Sequence, residues 1–114
     1  MTEQNKIEMT QAILVGLCLP DGDAEETEKS LAELERLLET AGGSCFAKVV
    51  QNKDHPDPRT CVGSGKVAEI RDLCARCGIG LVIFDTELSP AQIKNLEDGI
   101  GDEVRVIDRS MLIL

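Results

Sequence analysis

The chain has very few aromatic residues. Its 114 residues include no Trp and no Tyr, and the only two Phe residues are Phe46 and Phe84. A folded core must therefore be built from Leu, Ile, Val and Ala. Proteins that hold single-stranded nucleic acid stack successive bases on aromatic side chains, so the composition disfavours a platform of that class.

Positive charge is scarce as well. The chain has 12 Lys and Arg residues against 21 Asp and Glu residues, and its formal net charge is −9. Such a chain repels a phosphate backbone at long range. Any contact with RNA would therefore depend on a local basic surface or on parts outside this chain.

Residues typical of catalytic sites are also few. His55 is the single histidine, and it lies between Asp54 and Pro56 in a polar loop, where a solvated side chain is the more common role. No nucleophile, base and orienting residue can be assembled into one set. We therefore predict that this chain carries no catalytic residues.

No apolar run approaches the roughly 20 residues that a membrane-spanning helix needs, and residues 1–6 do not resemble a signal peptide. The five cysteines are odd in number and lie mostly within apolar patterns. Reduced thiols in a cytoplasmic protein without a membrane span are the simplest interpretation.

Cys74 and Cys77 form a CxxC pair near the predicted C-terminus of a helix. The helix dipole opposes a thiolate at that end, whereas redox pairs use the N-terminal end. A zinc site would need a second pair of ligands. We predict that both cysteines belong to the apolar stripe of the helix and that the chain holds no metal.

Strand-like and helix-like segments alternate along the chain. Strands are predicted at residues 13–19, 45–50, 81–84 and 104–107, with amphipathic helices between them. Asp23 and Ser89 are predicted N-caps, each with a Glu or Gln three residues later, and Gly78 is a predicted helix end. The pattern predicts a single α/β domain over residues 1–114. Its four-stranded parallel sheet has the order 2-1-3-4 and helices on both faces.

A glycine-rich turn, Val62-Gly63-Ser64-Gly65-Lys66-Val67, leads into the second helix. Glycines allow positive φ and close backbone approach, and a helix N-terminus offers unpaired N–H donors, which together suit a phosphate. The P-loop pattern fails because Thr60 and Val67 replace a required Gly and a required Ser or Thr.

The dinucleotide fingerprint fits the glycine turn better, through Gly63, Gly65 and Ala68, with Asp85 as a ribose partner. However, a proline-bearing loop of about ten residues separates the turn from the preceding strand, whereas the fingerprint requires a strand directly before it. A plain turn with Ser64 as the helix cap is the alternative.

Three basic residues flank this turn: Lys53, Arg59 and Lys66. With Gly63, Ser64 and Gly65 they form the predicted contact loop for an anion or for ribosomal RNA. Asp54 and Asp57 share the region, so a solvated polar loop is the alternative.

The segment from Thr60 to Leu114 resembles the N-terminal domain of HflX-type GTPases, which are ribosome-associated translation factors. Four pieces carry the resemblance: the glycine turn with Glu69-Ile70; Leu81-Val82-Ile83-Phe84-Asp85; Glu87-Leu88-Ser89-Pro90 with Gln92, Asn95, Leu96 and Glu97; and Val106-Ile107-Asp108-Arg109-Ser110 with Leu112-Ile113-Leu114.

The resemblance implies a non-catalytic module that precedes a helical hairpin and a GTP-binding domain. The parent protein would be a GTPase that uses GTP and Mg²⁺, binds the large ribosomal subunit, and helps to split or rescue ribosomes under stress. Adenine-nucleotide binding is also ascribed to this region of the family. The alternative function is a small nucleotide-binding module that holds phosphate in the Gly63–Lys66 loop.

The apolar residues 111–114 follow what resembles a helix start at Asp108-Arg109-Ser110. We expect a chain cut at the start of a C-terminal helix, without the GTP-binding domain, and self-association through this apolar end.

Overall fold

The computed structural model describes residues 9–112. Its elements are β1 (Gln11–Cys18), α1 (Ala24–Thr40), β2 (Ser44–Asn52), α2 (Ser64–Cys77), β3 (Leu81–Phe84), α3 (Pro90–Ile100), β4 (Arg105–Asp108) and a 3-10 turn (Arg109–Met111). All strand pairs are parallel, and the sheet order is β2-β1-β3-β4. The predicted fold class and strand order are confirmed.

Helices cover both faces of the sheet, as predicted. On one face α1 contributes Leu31, Leu34 and Leu38, which pack on the side chains of β1, β3 and β4. On the other face α2 and α3 pack together over a larger cluster that includes Phe84 and Leu96. Because side chains alternate along a strand, each central strand supplies both layers, which explains its continuous apolar sequence.

The contact between β1 and α1 depends on Gly16. A Cβ at this position would lie 2.9 Å from the Cδ1 atom of Leu31, closer than such contacts normally occur. Gly16 is buried in the middle of a strand, where glycine is otherwise unfavourable. Its lack of a side chain therefore allows the helix to approach the sheet.

The predicted helix ends are largely confirmed. Asp23 Oδ1 accepts from the Glu26 N–H at 2.6 Å, and Ser89 and Gln92 form a reciprocal capping box. At Gly78 the backbone is left-handed, with φ of 67°, and closes α2. These local signals specify the boundaries because each satisfies backbone groups that the helix leaves unpaired.

Two local predictions were wrong. Ser64 does not cap α2: it is the first helical residue, and Gly63 is an N-cap without a side-chain hydrogen bond. Gly63 has a φ of −68°, and neither it nor Gly65 has a positive φ. Cys77 is exposed while Cys74 is buried, because the last turn of α2 runs beyond the apolar cluster.

Candidate functional site

The point where the strand order reverses lies between β1 and β3, where ligands of open parallel sheets usually bind. Two helices begin there, and both starts are closed by their own side chains. Asp23 caps α1, whose first turn also holds Glu25 and Glu26, and the capping box of Ser89 closes α3. A phosphate is therefore poorly accommodated at this crevice, because the donors are occupied and the local charge is negative.

The glycine turn lies elsewhere, after the edge strand β2. The Gly63 N–H donates to Gln51 Oε1 at 2.8 Å, so a side chain of β2 holds the start of α2. The ammonium of Lys53 is beside it: a Cβ built on Gly63 would lie 3.8 Å from Lys53 Nζ. This placement, away from the reversal point, argues against a dinucleotide site of the usual geometry.

The loop between β2 and α2 has a defined internal structure. Asp57 and Cys61 exchange two backbone hydrogen bonds, of 2.9 and 2.8 Å. Asp57 Oδ1 also accepts from the N–H groups of Arg59 and Thr60, at 2.8 and 3.3 Å. These donors stabilise the carboxylate, and with the nearby charges of Lys53 and Arg59 they lower the pKa of Asp57. The loop is therefore a turn with a defined set of internal hydrogen bonds.

Cys61 closes this turn in an unusual conformation. Its φ is 68°, a left-handed value that is rare for a residue with a side chain. The side chain is nevertheless buried in the core beneath α2, and burial raises the pKa of its thiol. Burial of the thiol offsets the backbone strain and fixes where the loop enters the core.

Helix α3 holds the same loop from the other side. Gln92 Nε2 donates to the carbonyl oxygen of Asp57 at 3.3 Å, and Asn95 Nδ2 donates to that of Arg59 at 3.1 Å. Sequence reasoning assigned Gln92 only to the capping box and gave Asn95 no structural role. Gln92 and Asn95 are three residues apart, which places them on one helix face and could have suggested a shared target, but not which loop it was.

Two separate cavities lie along α2 and α3. One, of about 420 Å³, lies at the C-terminal ends of the two helices. The other is a groove of about 460 Å³ near the loop, lined by Arg59, Ser64, Val67, Asn95 and Gly99, among others. The floor is narrow because Gly99 lets the helices approach: a Cβ there would lie 3.0 Å from Val67 Cγ1.

The structure divides the predicted contact loop into three parts. Lys53 lies beside Gly63, and Arg59 shares the groove with Ser64. The Gly65 position faces open space. Lys66 is directed to its own helix, where its Nζ is 2.8 Å from Glu69 Oε2 and only 20% of its side chain is exposed. Of the three predicted contact cations, Lys66 therefore has an ion pair, whereas no salt bridge within residues 9–112 uses Lys53 or Arg59.

A second polar cluster, which sequence reasoning did not identify, lies where β4 ends. Asp108 is buried, and its carboxylate accepts from the Leu88 N–H at 2.8 Å and from the N–H and hydroxyl of Ser110. Arg109 donates to Asp85 Oδ1 at 2.8 Å and to Ser30 Oγ at 3.0 Å. The cluster joins the ends of β3 and β4 to α1 and therefore stabilises their relative positions.

Within residues 9–112, no group of three or more His, Cys, Asp and Glu side chains is arranged to hold a metal ion. In the same range, none of the helices has the length and apolar character needed to cross a bilayer.

Comparison with known proteins gives concordant results. The family model described as GTP-binding GTPase N-terminal matches residues 28–114. The chain is 38% identical over its whole length to the GTPase HflX of Lacrimispora saccharolytica, covering 26% of that protein. It is 40% identical over 105 residues to the GTPase HflX of Escherichia coli, covering 91% of this chain and 23% of that protein. The chain thus spans about a quarter of the length of these curated relatives.

Crystal structures of two mutation variants of SsGBP share the fold. They superpose with TM-scores of 0.56 and 0.58, at 17% identity, over 92% of this chain and 30% of the other chain. Sequence and fold agree, and the chain belongs to the GTP-binding GTPase N-terminal family, as the N-terminal domain of an HflX-type GTPase.

Proposed function

We propose that this domain is a non-catalytic module that helps to position an HflX-type GTPase on the large ribosomal subunit. The observation that carries the proposal is the loop bearing Lys53 and Arg59, which three side chains from β2 and α3 hold in one conformation. In the cytoplasm, the whole protein would split or rescue ribosomes under stress. Its GTP and Mg²⁺ would be bound by a part outside this chain.

The charges of the loop suit this role. No salt bridge within residues 9–112 uses Lys53 or Arg59, whereas Lys66 is paired with Glu69. Lys53 and Arg59, which share Asp57 as a nearby carboxylate, form a local surface for RNA phosphate on an otherwise acidic domain. Arg59 adds planar donors that suit phosphate oxygens.

The hydrogen bonds to the loop support docking for a second reason. Gln51 holds Gly63, and Gln92 and Asn95 hold the carbonyl oxygens of Asp57 and Arg59. A loop already held in its binding conformation loses less conformational entropy on association than a free loop. Two phosphate contacts then provide useful affinity despite the negative charge of the domain.

The test is co-sedimentation of the full-length protein with the large subunit over a salt series. Arg59→Ala and Lys53→Ala should each weaken binding, and each should reduce the salt slope by about one. Lys29→Ala is the matched control, because Lys29 is an exposed cation of α1 that faces Glu25 at 4.0 Å. If both loop variants bind like the parent at every salt concentration, the loop is not the contact.

A second candidate is a phosphate or nucleotide at the start of α2, favoured by one observation. Gly63 caps the helix without a side-chain hydrogen bond, and the space at Gly65 is open. Calorimetry of the chain with ATP, GTP and NAD tests this, with Gly65→Val as the blocking variant. Micromolar binding that the variant abolishes would favour the nucleotide module, and no heat with any nucleotide would favour ribosomal docking.

A further inference from the structure

Among residues 9–112, no element covers the outer edge of β2. In this range β2 pairs only with β1, and the Lys53 N–H donates to the Cys18 carbonyl oxygen at 3.1 Å. Backbone groups alternate sides along a strand, so those of residues 47, 49 and 51 face β1. The N–H and C=O groups of Lys48, Val50 and Asn52 therefore face away from the sheet.

The opposite edge of the sheet, formed by β4, is partly covered. There the outward N–H of Val106 in β4 donates to Glu97 Oε2 at 3.0 Å, so α3 covers that edge. Proteins usually block edge strands with charge, proline or a covering element. β2 is nine residues long and contains no proline, and Phe46 and Val50 on it are each 40% exposed.

Only part of β2 is suited to pairing. The register with β1 shifts between Ala12 and Ile13, which places an irregularity at Phe46. Such bulges disturb pairing locally. The regular outward edge therefore runs over residues 48–52.

The charge around this edge is negative. Lys48 Nζ lies 2.7 Å from Glu35 Oε1, so Glu35 already neutralises the one cation of the strand. Glu39 lies close enough to interact with both Lys48 and Cys45. Two carboxylates against one ammonium, on a chain of net charge −9, favour a basic partner.

We propose that β2 accepts an extended basic segment of a partner protein as a fifth strand, paired along residues 48–52. Main-chain hydrogen bonds to Lys48, Val50 and Asn52 supply the pairing. An apolar side chain of the partner contacts Val50, and its basic side chains lie near Glu35 and Glu39. The paired residues end at Asn52, so this edge adjoins the loop of Lys53 and Arg59 without including either cation.

A second copy of the chain suits the same edge poorly. Each copy would bring the carboxylates of its Glu35 and Glu39 to the edge of the other, and like charges placed together are unfavourable. The two copies would also each carry a net charge of −9.

The probe is the capped peptide Lys-Val-Lys-Val-Lys-Val, and the measurement is amide hydrogen exchange followed by NMR. At saturating peptide the amides of Lys48, Val50 and Asn52 should exchange at least about tenfold more slowly. The matched peptide with Glu in place of Lys should give no protection. If the basic peptide protects none of these amides, or if both peptides protect them equally, the proposal is overturned.

Val50→Pro tests the edge directly, because it removes an outward N–H and leaves the ladder to β1 intact. It should abolish the protection of Lys48 and Asn52, whereas the matched Val50→Ala should retain it. Equal protection in both variants would overturn the proposal. So would protection that grows with protein concentration without peptide, which would assign the edge to a second copy. If Val50→Pro does not fold, Glu39→Lys replaces it and should weaken peptide binding several-fold.

Discussion

Asn95 donates its side-chain amide to the carbonyl oxygen of Arg59 at 3.1 Å, which joins α3 to a loop 36 positions earlier in the chain. Together with the hydrogen bond from Gln92 to the carbonyl oxygen of Asp57, it holds the irregular loop between β2 and α2 against a helix whose N-terminus is capped. Gln92 and Asn95 of α3 thus hold the loop that carries Lys53 and Arg59.

Replacing Asn95 should loosen this loop. Asn95→Asp removes the N–H donor and places a carboxylate against the Arg59 carbonyl oxygen, so we expect a loss of about 1–2 kcal/mol in the free energy of unfolding. Urea denaturation measures this loss, and faster amide exchange at Thr60 locates it. Lys94→Ala, an exposed neighbour on the same helix, is the control. A stability equal to that of the parent would show that the contact contributes nothing.

Asp108 should be among the most sensitive polar positions in the domain. Asp108→Ala leaves the Leu88 N–H without its acceptor and creates a small cavity, which should lower the free energy of unfolding by about 2–4 kcal/mol. Asp108→Asn retains one carbonyl oxygen and should lose less. Chemical denaturation of both variants gives the comparison, and equal losses would contradict a role based on hydrogen-bond acceptance.

Two glycines should respond in opposite ways to alanine. Gly16→Ala places a Cβ 2.9 Å from Leu31 Cδ1, and overpacking of this kind should destabilise the domain by about 1–3 kcal/mol. Gly65→Ala meets open space within a helix and should be neutral or stabilising by up to about 1 kcal/mol. Thermal and urea unfolding distinguish them. A tolerated Gly16→Ala would mean that α1 can shift away from the sheet.

The loop should also weaken in acid. The backbone donors of Arg59 and Thr60 lower the pKa of Asp57 below its ordinary value of 3.8, so the unfolded chain binds a proton here more readily than the folded one. The stabilisation is therefore complete above about pH 4 and is lost as the pH falls through the folded-state pKa. NMR titration of Asp57 measures this directly. In Asp57→Asn the free energy of unfolding should fall less steeply with decreasing pH below about pH 4. The same pH dependence as in the parent would show that the Asp57 carboxylate does not contribute to acid sensitivity.

Much of the fold could be predicted from local patterns. Continuous apolar strands separated by amphipathic helices require a parallel sheet with both faces covered, and the caps at Asp23, Ser89 and Gly78 use short-range hydrogen bonds that sequence displays. Predictions were wrong where distant residues decide the outcome. Gln51 holds the N–H of Gly63, so Ser64 was not needed as a cap. The role of Lys66 in the contact loop stays a prediction, and its Nζ lies 2.8 Å from Glu69 Oε2, one helical turn away.

The sequence by itself therefore determined the α/β class, most helix ends and the family of this protein, because these depend on periodicity, capping and ordered motifs. Only the tertiary structure decided the order of the strands and how Gln92 and Asn95 hold the loop. It also decided that, within residues 9–112, β2 has an open edge while Glu97 bonds the outer edge of β4. The physical reason is that these features depend on contacts between residues far apart in the chain, whose partners no local pattern specifies.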